Sequence, residues 1–358
     1  MSGEVPMQER PLKVAAFGLC EQINLLLECA YEMREAFVIA GVADADPERA
    51  SASARRYECT AYDDVRQMLV QTEPQIFLAG GPTHLCGEWI SLAIEKQCHV
   101  FKTCPAGLAF EQTAGWIRGC MRQGRRFILI EPRRFHRLTE VFWEMADQED
   151  VNYWHLISLV CHVPQPPAEA EERWRYDPSL AGGGVLIQKA YWLLDEMLLG
   201  FGLPQQVYMQ RANQAPDRQQ RLSTTEDTAA AVMRFSDSLV AVVSASRTLG
   251  PPAEYLRIHG KERYVTLEKD CLTVCSHDGR LLERRELRNG GNGWAQHLLE
   301  MFVQHLEKPE QYPLFPPPET DLRTMAVLEA AYLSAKTGMP ELPSRILELA
   351  GFKPDGLW

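Results

Sequence analysis

The chain has 358 residues, of which 46% are hydrophobic and 24% are charged, and its formal net charge at pH 7 is -11. This length allows two domains with separate cores, and the composition is ordinary for a globular protein. The negative charge argues against nucleic acid or an anionic membrane surface as the main partner, because both attract basic surfaces.

Further sequence features bear on compartment and metal binding. No apolar run is long enough to span a membrane, and residues 1–11 form a polar tail without the apolar core of a signal peptide. Ten cysteines lie scattered without disulfide-framework spacing, which indicates a reducing compartment. Cys271 and Cys275 lack a second pair that would complete a zinc site. We therefore expect a cytoplasmic protein with no metal, no membrane partner and no nucleic-acid partner.

Short apolar strands alternate with helical patterns over the first part of the chain. Strand patterns cover residues 13–17, 38–43, 76–79, 99–101 and 127–130, and helical patterns cover 23–30, 46–56, 89–96 and 111–123. About 25 residues separate Gly18, at the end of the first strand, from Asp44, at the end of the second, as in a β-α-β unit. This alternation predicts an α/β fold, with a Rossmann-like doubly wound parallel sheet over residues 12–131.

The pattern changes after residue 131. A strand at 151–163 and a polar loop at 164–178 precede three glycines, and six more strand patterns cover 206–211, 228–235, 239–247, 254–259, 263–268 and 272–277. Helices are expected at 294–306 and 320–337. The sequence thus predicts an α+β domain over residues 132–358 with an open, mostly antiparallel sheet. Its C-terminal helix is free to pack back on the first domain.

Residues 182–200 form a glycine turn followed by an apolar helix pattern. The pattern rests on residues at three- and four-residue spacing, namely Leu186, Leu193, Leu194, Met197 and Leu198. Gly200 is expected to cap this helix. On one continuous helix, Gln188, Trp192 and Asp195 would share a face, with Tyr191 beside them. A core helix with a tight entry turn would explain the same pattern without any function.

Several segments match a known family in order and spacing. They are residues 41–50, 82–105, 133–135, 182–195, 226–228 and 327–334. Together they resemble the glucose-fructose oxidoreductase/inositol dehydrogenase family, written Gfo/Idh/MocA, over nearly the whole chain. The resemblance implies an NAD(P)-dependent oxidoreductase acting on a sugar-, polyol- or keto/imine-like small molecule. It also implies a homodimer or tetramer formed through the C-terminal sheet, whose open face would otherwise be exposed.

The family's cofactor turn is only partly kept. In the family, glycines after the first strand let the backbone approach a pyrophosphate at a helix N-terminus. Gly18 keeps one of these glycines, whereas Cys20 and Ile23 occupy the other positions. Cys20 is small enough to be tolerated, but Ile23 is not a usual phosphate-loop residue. Glu21 would place a negative charge near the diphosphate, which is unfavourable at short range.

Four more residues are expected to bind the cofactor. Asp44 is placed to accept hydrogen bonds from the adenosine ribose, which favours NAD over NADP, but it suits a helix cap equally well. The resemblance adds Gly81, Pro82 and Pro105 to this set. Whether either dinucleotide binds is left open by the substituted turn.

The family's Glu-Lys-Pro motif falls on Thr103, Cys104 and Pro105. In the family, this lysine helps to set the protonation of the substrate hydroxyl. Cys104 supplies no permanent cation, because a thiol has a pKa near ~8.5. Lys102 would point to the same side of an extended strand as Cys104 and could partly replace the amine. A displaced surface lysine is the simpler interpretation.

The family's Asp and His, in the helix after the glycine turn, fall on Gln188 and Trp192. The histidine is the usual general base, because imidazole titrates near working pH. An indole N–H only donates, and an amide exchanges no proton. Tyr191 and Lys189 are the nearest titratable substitutes, although Lys189 would face elsewhere on a regular helix.

Two functions remain as hypotheses. The first is an active oxidoreductase in which Cys104, Lys102 or Tyr191 handles the proton. Its substrate would contact residues that the resemblance places in the binding loop and beside it, namely Arg134, Trp174, Arg175, Gln188 and Trp192. The second is a catalytically degenerate member that acts as a ligand-binding or assembly subunit, since three substituted motifs converge on one site.

Overall fold

The computed structural model describes residues 11–149, 152–165, 170–213, 225–287, 293–317 and 319–353, and it contains two compact units. Unit 1 comprises the described residues up to Cys104, Gly115–Pro132 and the described part of Gly290–Pro318. Unit 2 comprises Pro105–Ala114 and the described parts of Arg133–Asn289 and Glu319–Trp358. Except for Pro11, the expected polar tail lies outside the described residues.

Unit 1 is built on a parallel sheet of six strands in the order β3-β2-β1-β4-β5-β6. The central strands are almost entirely buried, as expected for a parallel sheet covered on both faces. This sheet confirms the predicted α/β fold with a doubly wound N-terminal sheet. The strands are β1 (Leu12–Phe17), β2 (Phe37–Ala43), β3 (Thr60–Tyr62), β4 (Ile76–Ala79), β5 (His99–Thr103) and β6 (Phe127–Ile130).

Helices connect these strands. Two begin at aspartates whose side chains accept hydrogen bonds from first-turn backbone N–H groups: Asp46 before α2 and Asp64 before α3. The sequence analysis did not identify α3 or the three-residue strand β3. The helices are α1 (Glu21–Glu32), α2 (Pro47–Arg56), α3 (Val65–Thr72), α4 (Thr83–Glu95) and α5 (Phe110–Arg122), the last of which belongs to unit 1 from Gly115 onward.

The helix Gly293–Glu307 also belongs to unit 1, whereas the sequence analysis assigned it to the second domain. Aromatic packing and a hydrogen bond explain this. The ring centroid of Phe302 lies 5.0 Å from those of His99 and Phe101 on β5. The Arg126 Nε donates to His305 Nε2 at 3.0 Å. Such contacts join segments far apart in sequence, so local patterns do not reveal them.

Unit 2 contains a sheet of eight strands in the order β14-β13-β12-β11-β7-β10-β9-β8. Only the β7–β10 pair is parallel, so the predicted open, mostly antiparallel sheet is confirmed. The sequence analysis did not predict the charged edge strand β14. The strands are β7 (Trp154–His162), β8 (Gln206–Ala212), β9 (Thr228–Arg234), β10 (Val240–Ser246), β11 (Ala253–Gly260), β12 (Arg263–Leu267), β13 (Cys271–Ser276) and β14 (Leu281–Glu286).

Helices of unit 2 pack on the inner face of this sheet. Alternate residues of β8, β9 and β10 are buried, so one face of each strand is covered and the other is open. Two 3₁₀ turns lie outside the sheet, Pro132–Phe135 and Ala170–Tyr176. The helices of unit 2 are α6 (Arg137–Asp147), α7 (Pro178–Ala181), α8 (Val185–Gln188), α9 (Tyr191–Phe201), α11 (Glu319–Thr337) and α12 (Pro343–Leu349). The label α10 is given to Gly293–Glu307 of unit 1.

The prediction of one continuous helix after the glycine turn is wrong. Gly182 takes φ 75°. The short helix α8 ends at Gln188, the next residue Lys189 has φ -124°, and α9 begins at Tyr191. Gln188 and Trp192 therefore lie on different helices. The helix ends at Gly202, with φ 73°, and not at Gly200. Gly200 lies under the Trp143 ring, where an added Cβ would approach a ring carbon to 1.8 Å.

Candidate functional site

The carboxyl ends of β1 and β4 meet where the strand order of unit 1 reverses, which is the usual ligand position in such a sheet. The turns after the two strands touch backbone to backbone. A Cβ at Gly18, whose φ is +73°, would lie 2.3 Å from the Gly80 oxygen, and a Cβ at Gly80 would lie 2.0 Å from the Gly18 oxygen. Glycine is therefore required at both positions by the packing of the turns.

The space beyond these turns is open. Gly81 has φ +77°, and a Cβ there would meet no atom within 4 Å. Neither Cys20, before α1, nor Pro82, before α4, makes a side-chain cap hydrogen bond. The first N–H groups of a helix have no intrahelical acceptor, so both helix starts can donate to an anion.

The two unusual residues of the turn do not fill this space. Ile23 is fully buried, and its Cγ1 lies 2.6 Å from the position of a Gly80 Cβ, so it packs inward against the turn. Glu21 is exposed in the first turn of α1, where solvent screens its charge. The Ile23 side chain thus fills the buried space next to Gly80, on the core side of the turn.

The Asp44 carboxylate holds the first turn in place. Its Oδ2 accepts from the Leu19 N–H at 2.6 Å and its Oδ1 from the Asp46 N–H at 2.9 Å. The Arg49 guanidinium lies 3.5 Å from Oδ1. The expected capping role is therefore present. A carboxylate has about four acceptor positions, which leaves capacity for a ribose hydroxyl. Glycine backbone, two helix starts and an acidic residue after β2 together fit a dinucleotide.

At the same edge of the sheet, β5 is followed by the thiol of Cys104 and β6 by the carboxylate of Glu131. The half-buried Cys104 Sγ donates to Glu131 Oε2 at 3.1 Å, and Glu131 is 6% exposed. The sequence analysis did not identify Glu131 as a site residue, although a carboxylate directly after a buried strand was a usable signal. Pro105 is half-buried and follows in the chain as the first residue of unit 2.

Lys102 is not a surface lysine, contrary to the simpler expectation. Its side chain is fully buried, and its Nζ donates to the Thr103 carbonyl oxygen at 2.6 Å. Burial of Cys86 raises the pKa of its thiol, and the nearby Lys102 amine opposes this rise. Lys102 therefore lies inside unit 1, where it is not accessible to a substrate in this conformation.

In unit 2, the Gln188 side chain links two segments of the backbone. Its Nε2 donates to the carbonyl oxygens of Gly183 at 2.6 Å and Arg175 at 3.0 Å. The Thr225 hydroxyl donates to the same Arg175 oxygen at 3.0 Å. Both amide hydrogens of Gln188 are thus used, and the structure brings it together with the predicted substrate residue Arg175. The Arg175 guanidinium lies 5.5 Å from the ring centroid of Trp174, which is also half-buried.

Trp192 and Tyr191 have different surroundings. The half-buried Trp192 ring has the Arg133 guanidinium 4.4 Å from its centroid, so an arginine occupies one ring face. Arg133 is itself held by a hydrogen bond to the Lys269 carbonyl oxygen at 2.7 Å. Tyr191 is 3% exposed and faces the core of unit 2. Tyr191 could transfer a proton to a substrate only if a conformational change exposed its hydroxyl.

Arg134 lies in a buried ion cluster and is 6% exposed. Its guanidinium makes two hydrogen bonds to Asp195, at 2.7 and 2.8 Å, and one to Asp321 at 2.6 Å. The Thr324 hydroxyl also donates to Asp195, at 3.1 Å. Burial lowers the pKa of Arg134, but the two carboxylates raise it well above its usual value. Arg134 thus anchors the 3₁₀ turn to α9 and α11 and has little surface for a substrate.

Burial raises the pKa of Asp321 to about 6, against the attraction of Arg134, and repulsion from Asp195 adds to the rise. Two carboxylates therefore share one guanidinium in this cluster. Asp321 therefore holds a proton more readily than an exposed aspartate, because burial and the nearby Asp195 charge disfavour its ionised form.

A second buried carboxylate fixes the glycine turn. Glu226 accepts from the N–H groups of Gly184 at 2.7 Å and Leu186 at 3.2 Å, and from the Tyr332 hydroxyl at 2.8 Å. A Cβ at Gly184 would lie 1.9 Å from the Glu226 carbonyl oxygen. Burial raises the pKa of Glu226, and its hydrogen bonds oppose this rise. The turn is thereby held closely against the start of β9.

Within the described residue ranges, no three His, Cys, Asp or Glu side chains are arranged to hold a metal ion. No helix there has the length and apolar character needed to cross a membrane. An open cavity of about 710 Å³ lies on unit 2 near Tyr255, and its lining includes the acidic residues Glu254, Glu268, Asp270 and Glu286.

Comparison with known families gives two matches. Residues 13–130 match the model described as "Oxidoreductase family, NAD-binding Rossmann fold", and residues 153–266 match the "GFO/IDH/MocA C-terminal domain". Together these matches cover well over half of the chain, including the sheet of unit 1 from Lys13 onward and the sheet of unit 2 as far as β12.

Curated relatives match more weakly. A D-xylose 1-dehydrogenase (NADP(+)) of Haloferax volcanii is 27% identical over 170 residues, covering 47% of this chain and 51% of the relative. A dTDP-3,4-didehydro-2,6-dideoxy-alpha-D-glucose 3-reductase of Saccharopolyspora spinosa is 24% identical over 180 residues, covering 49% and 52%. The chain thus spans about half the length of the curated relatives it matches.

Solved structures match over most of the chain. An aldose-aldose oxidoreductase from Caulobacter crescentus, complexed with glycerol, has a TM-score of 0.77 at 16% identity and covers 93% of this chain and 100% of its own. The WlbA dehydrogenase from Bordetella pertussis, in complex with NADH and UDP-GlcNAcA, has a TM-score of 0.77 at 16% identity, with 93% and 99% covered. At this identity the likeness establishes the fold.

Proposed function

Because the chain belongs to the Gfo/Idh/MocA family of oxidoreductases, we propose that it transfers a hydride between a nicotinamide cofactor and a sugar or sugar derivative. The observation that carries this proposal is the open space at the carboxyl edge of the parallel sheet, next to two helix starts without side-chain caps. A degenerate turn blocked by Ile23 would have argued against it, but Ile23 packs inward.

The chain's own residues would bind the cofactor as follows. The N–H groups at the starts of α1 and α4 donate to the diphosphate, and Gly81 lets the backbone approach it. Asp44 accepts a hydrogen bond from the adenosine ribose while it holds Leu19. When bound, the nicotinamide supplies the site that accepts or gives the hydride.

We propose NAD as the preferred cofactor. A 2′-phosphate would lie close to the Asp44 carboxylate, and this repulsion outweighs the attraction of the exposed Arg49. Titration with NADH and NADPH, followed by cofactor fluorescence, tests both proposals. We expect NADH to bind at least about tenfold more tightly than NADPH, which corresponds to about 1.4 kcal/mol of binding free energy. Binding of neither cofactor at millimolar concentration would reject the oxidoreductase.

The sugar class of substrate is supported by the relatives' names, which specify D-xylose and a dideoxy-glucose nucleotide. We propose an aldose or nucleotide sugar that stacks beside Trp174 and is bound by Arg175. The half-buried position of both residues supports this assignment. Reduction of NAD followed at 340 nm (the absorbance of the reduced cofactor) with a panel of aldoses, polyols and nucleotide sugars tests it. Turnover restricted to compounds without a sugar ring would contradict it.

A ligand-binding or assembly subunit is the second candidate function. It is favoured by the use of both Gln188 amide hydrogens on carbonyl oxygens and by the burial of Tyr191. In this case NADH would bind, but no sugar on the panel would be oxidised or reduced. Cofactor binding together with any enzyme-dependent turnover would reject this candidate.

We propose that a second copy of the chain covers the outer face of the unit 2 sheet. Tyr208, Val232 and Val242 form a row across three neighbouring strands and are 37%, 47% and 43% exposed. Such a row on an open sheet face is typical of an oligomer contact. Light scattering after gel filtration should give a dimer or tetramer, and Val232→Glu should lower the mass. A monomeric wild-type protein would contradict the proposal.

A cytoplasmic location is also proposed. All ten cysteines lie in the described residues, none of them forms a disulfide there, and five of them are buried. Free cysteines are usual in a reducing compartment. Fractionation of cells that express the tagged protein would test this, and recovery in an oxidising compartment would contradict it.

A further inference from the structure

The carboxyl edge of the unit 1 sheet has two halves. The strand order β3-β2-β1-β4-β5-β6 reverses between β1 and β4. In such a sheet each half takes one mononucleotide of a dinucleotide, which lies across the point of reversal. Asp44 follows β2, so the half formed by β1, β2 and β3 takes the adenosine. The half formed by β4, β5 and β6 is therefore left for the nicotinamide.

Cys104 and Glu131 lie at this second half. Thr103 on β5 is in register with Ile130 on β6, so the residues that follow these two are neighbours at the edge. The half-buried Cys104 Sγ donates to Glu131 Oε2 at 3.1 Å and lies 3.7 Å from the Ile130 carbonyl oxygen. Both members of the pair belong to unit 1, so its position at the edge is set within that unit.

The Glu131 side chain brings a negative charge to this half of the edge. A hydrogen bond donated to a carboxylate favours its ionised form, and the Cys104 thiol supplies one. Glu131 is 6% exposed, so solvent screens its charge less than that of a surface carboxylate. A ligand bound at this half of the edge therefore interacts with the Glu131 charge through a medium of low dielectric constant.

A positive charge lies on the neighbouring strand. The buried Lys102 Nζ donates to the Thr103 carbonyl oxygen at 2.6 Å. This cation lowers the net negative potential at the edge but does not change the effect of removing Glu131. The exchange of a carboxylate for an amide makes the potential more positive, whatever the neighbouring cations contribute.

We propose that Glu131 makes the site select the oxidised cofactor over the reduced one, with Cys104 positioning its carboxylate. This proposal rests on the proposed oxidoreductase function. The oxidised nicotinamide ring is cationic and the reduced ring is neutral, so a nearby carboxylate attracts the oxidised form. By linkage, the site then favours hydride transfer toward the substrate. In that direction the carbonyl carbon of the sugar gains the hydride, its oxygen gains a proton from water, and the cofactor is left cationic.

The size of the effect follows from the spacing of the strands. Neighbouring strands lie ~4.8 Å apart, so β4 to β6 span roughly 10 Å. At an effective dielectric constant of ~20, the interaction of two unit charges roughly 12 Å apart changes an affinity about tenfold. Glu131→Gln should therefore weaken the binding of oxidised NAD about tenfold and leave NADH binding nearly unchanged.

Cofactor binding to the intact chain tests the proposal without any substrate. NADH affinity is measured by fluorescence titration, and the affinity for oxidised NAD by its displacement of NADH. The ratio of the dissociation constant of oxidised NAD to that of NADH should rise about tenfold in Glu131→Gln and should stay near the wild-type value in Glu131→Asp. The control is Glu95→Gln, which removes an exposed carboxylate at the end of α4 that leads into β5, at the opposite edge of the sheet. An unchanged ratio in folded Glu131→Gln, or an equal rise in Glu95→Gln, would overturn the proposal.

The positioning role of Cys104 has its own variants. Cys104→Ala removes the donor to Glu131, whereas Cys104→Ser keeps one. We expect the ratio to rise in Cys104→Ala, by less than in Glu131→Gln, and to return toward the wild-type value in Cys104→Ser. A wild-type ratio in Cys104→Ala would reject the role of Cys104.

Alkylation of the Cys104 thiol locates the pair in the wild-type protein. Labelling by iodoacetamide is followed by peptide mass spectrometry, with oxidised NAD, with ADP-ribose (which lacks the nicotinamide) and without ligand. At a concentration of about four times its dissociation constant, oxidised NAD should slow the labelling about fivefold, because only unbound protein reacts. ADP-ribose at the same saturation should slow it less than about twofold. The half-buried Cys59, which precedes β3 at the amino edge, should be labelled equally in all three samples. Equal protection of Cys104 by both ligands, or none by oxidised NAD, would overturn the proposal.

The two proposals fail in different ways. A wild-type protein that binds neither oxidised NAD nor NADH would reject the oxidoreductase itself. Binding of both cofactors, with the same ratio of dissociation constants in wild type and Glu131→Gln, would reject only the selective role of Glu131.

Discussion

The buried cluster of Arg134, Asp195 and Asp321 predicts a particular pH dependence of stability, which the variant Asp321→Asn isolates. Burial raises the pKa of Asp321 from 3.8 to about 6 in the folded protein. The folded state therefore retains a proton over a pH range in which the unfolded chain has released it. The stabilisation from this group is fully present below pH ~4 and is lost as pH rises through about 6.

The magnitude follows from the shift. About two pKa units correspond to roughly 3 kcal/mol of unfolding free energy. Asparagine at position 321 cannot titrate but can still accept a hydrogen bond from Arg134. The unfolding free energy of wild type minus that of Asp321→Asn should therefore fall by on the order of 3 kcal/mol between pH 4 and pH 7.

Urea unfolding at several pH values, followed by tryptophan fluorescence and circular dichroism, measures this difference. Coincident transitions from the two probes would support a two-state treatment, which a chain with two units does not guarantee. Asp237→Asn, at an exposed turn position, serves as the matched control. A difference between wild type and Asp321→Asn that is independent of pH, or that grows with rising pH, would refute the reasoning.

Three further predictions concern the glycine turn and the cofactor edge. Gly184→Ala should lower the unfolding free energy by about 3 kcal/mol or more in urea titrations, because the added Cβ would lie 1.9 Å from the Glu226 carbonyl oxygen. Gly293→Ala is the control and should leave the unfolding free energy nearly unchanged, because an added Cβ there would meet no atom within 4 Å. Tyr332→Phe should cost about 1.5–3 kcal/mol in the same assay, since a hydrogen bond to a buried carboxylate is lost; an unchanged midpoint would contradict this. Glu21→Gln should tighten NADH binding about two- to fivefold in a fluorescence titration at low salt, as a negative charge leaves the helix start, and weaker binding would contradict the assignment.

Much of the fold could be predicted from local pattern. The strands β1, β2, β4 and β6 were placed within a residue or two, because each is a short apolar run bounded by glycine or charge. The six strands from β8 to β13 were also predicted, since turn residues separate them. By contrast, β3 has only three residues, and the charged edge strand β14 has no buried face, so neither gives a hydrophobic pattern.

The candidate site was less predictable, because side-chain roles there depend on contacts distant in sequence. Arg134 was expected to bind substrate, but its partners Asp195 and Asp321 lie 61 and 187 residues away. Lys102 was expected at the surface, yet a strand residue flanked by strands on both sides is buried whatever its charge. The helix break at Lys189 was missed, because the apolar spacing continues through it.

The structure also explains how this segment keeps its shape between two buried anchors. Residues 184–186 are fixed by Glu226 and Tyr332, and α9 is fixed at Asp195 by Arg134 and Thr324. Both anchors lie outside residues 188–192. Substitutions at residues 189–192 therefore leave both anchors in place, and Gln188 adds a third link through its hydrogen bonds to the carbonyl oxygens of Gly183 and Arg175.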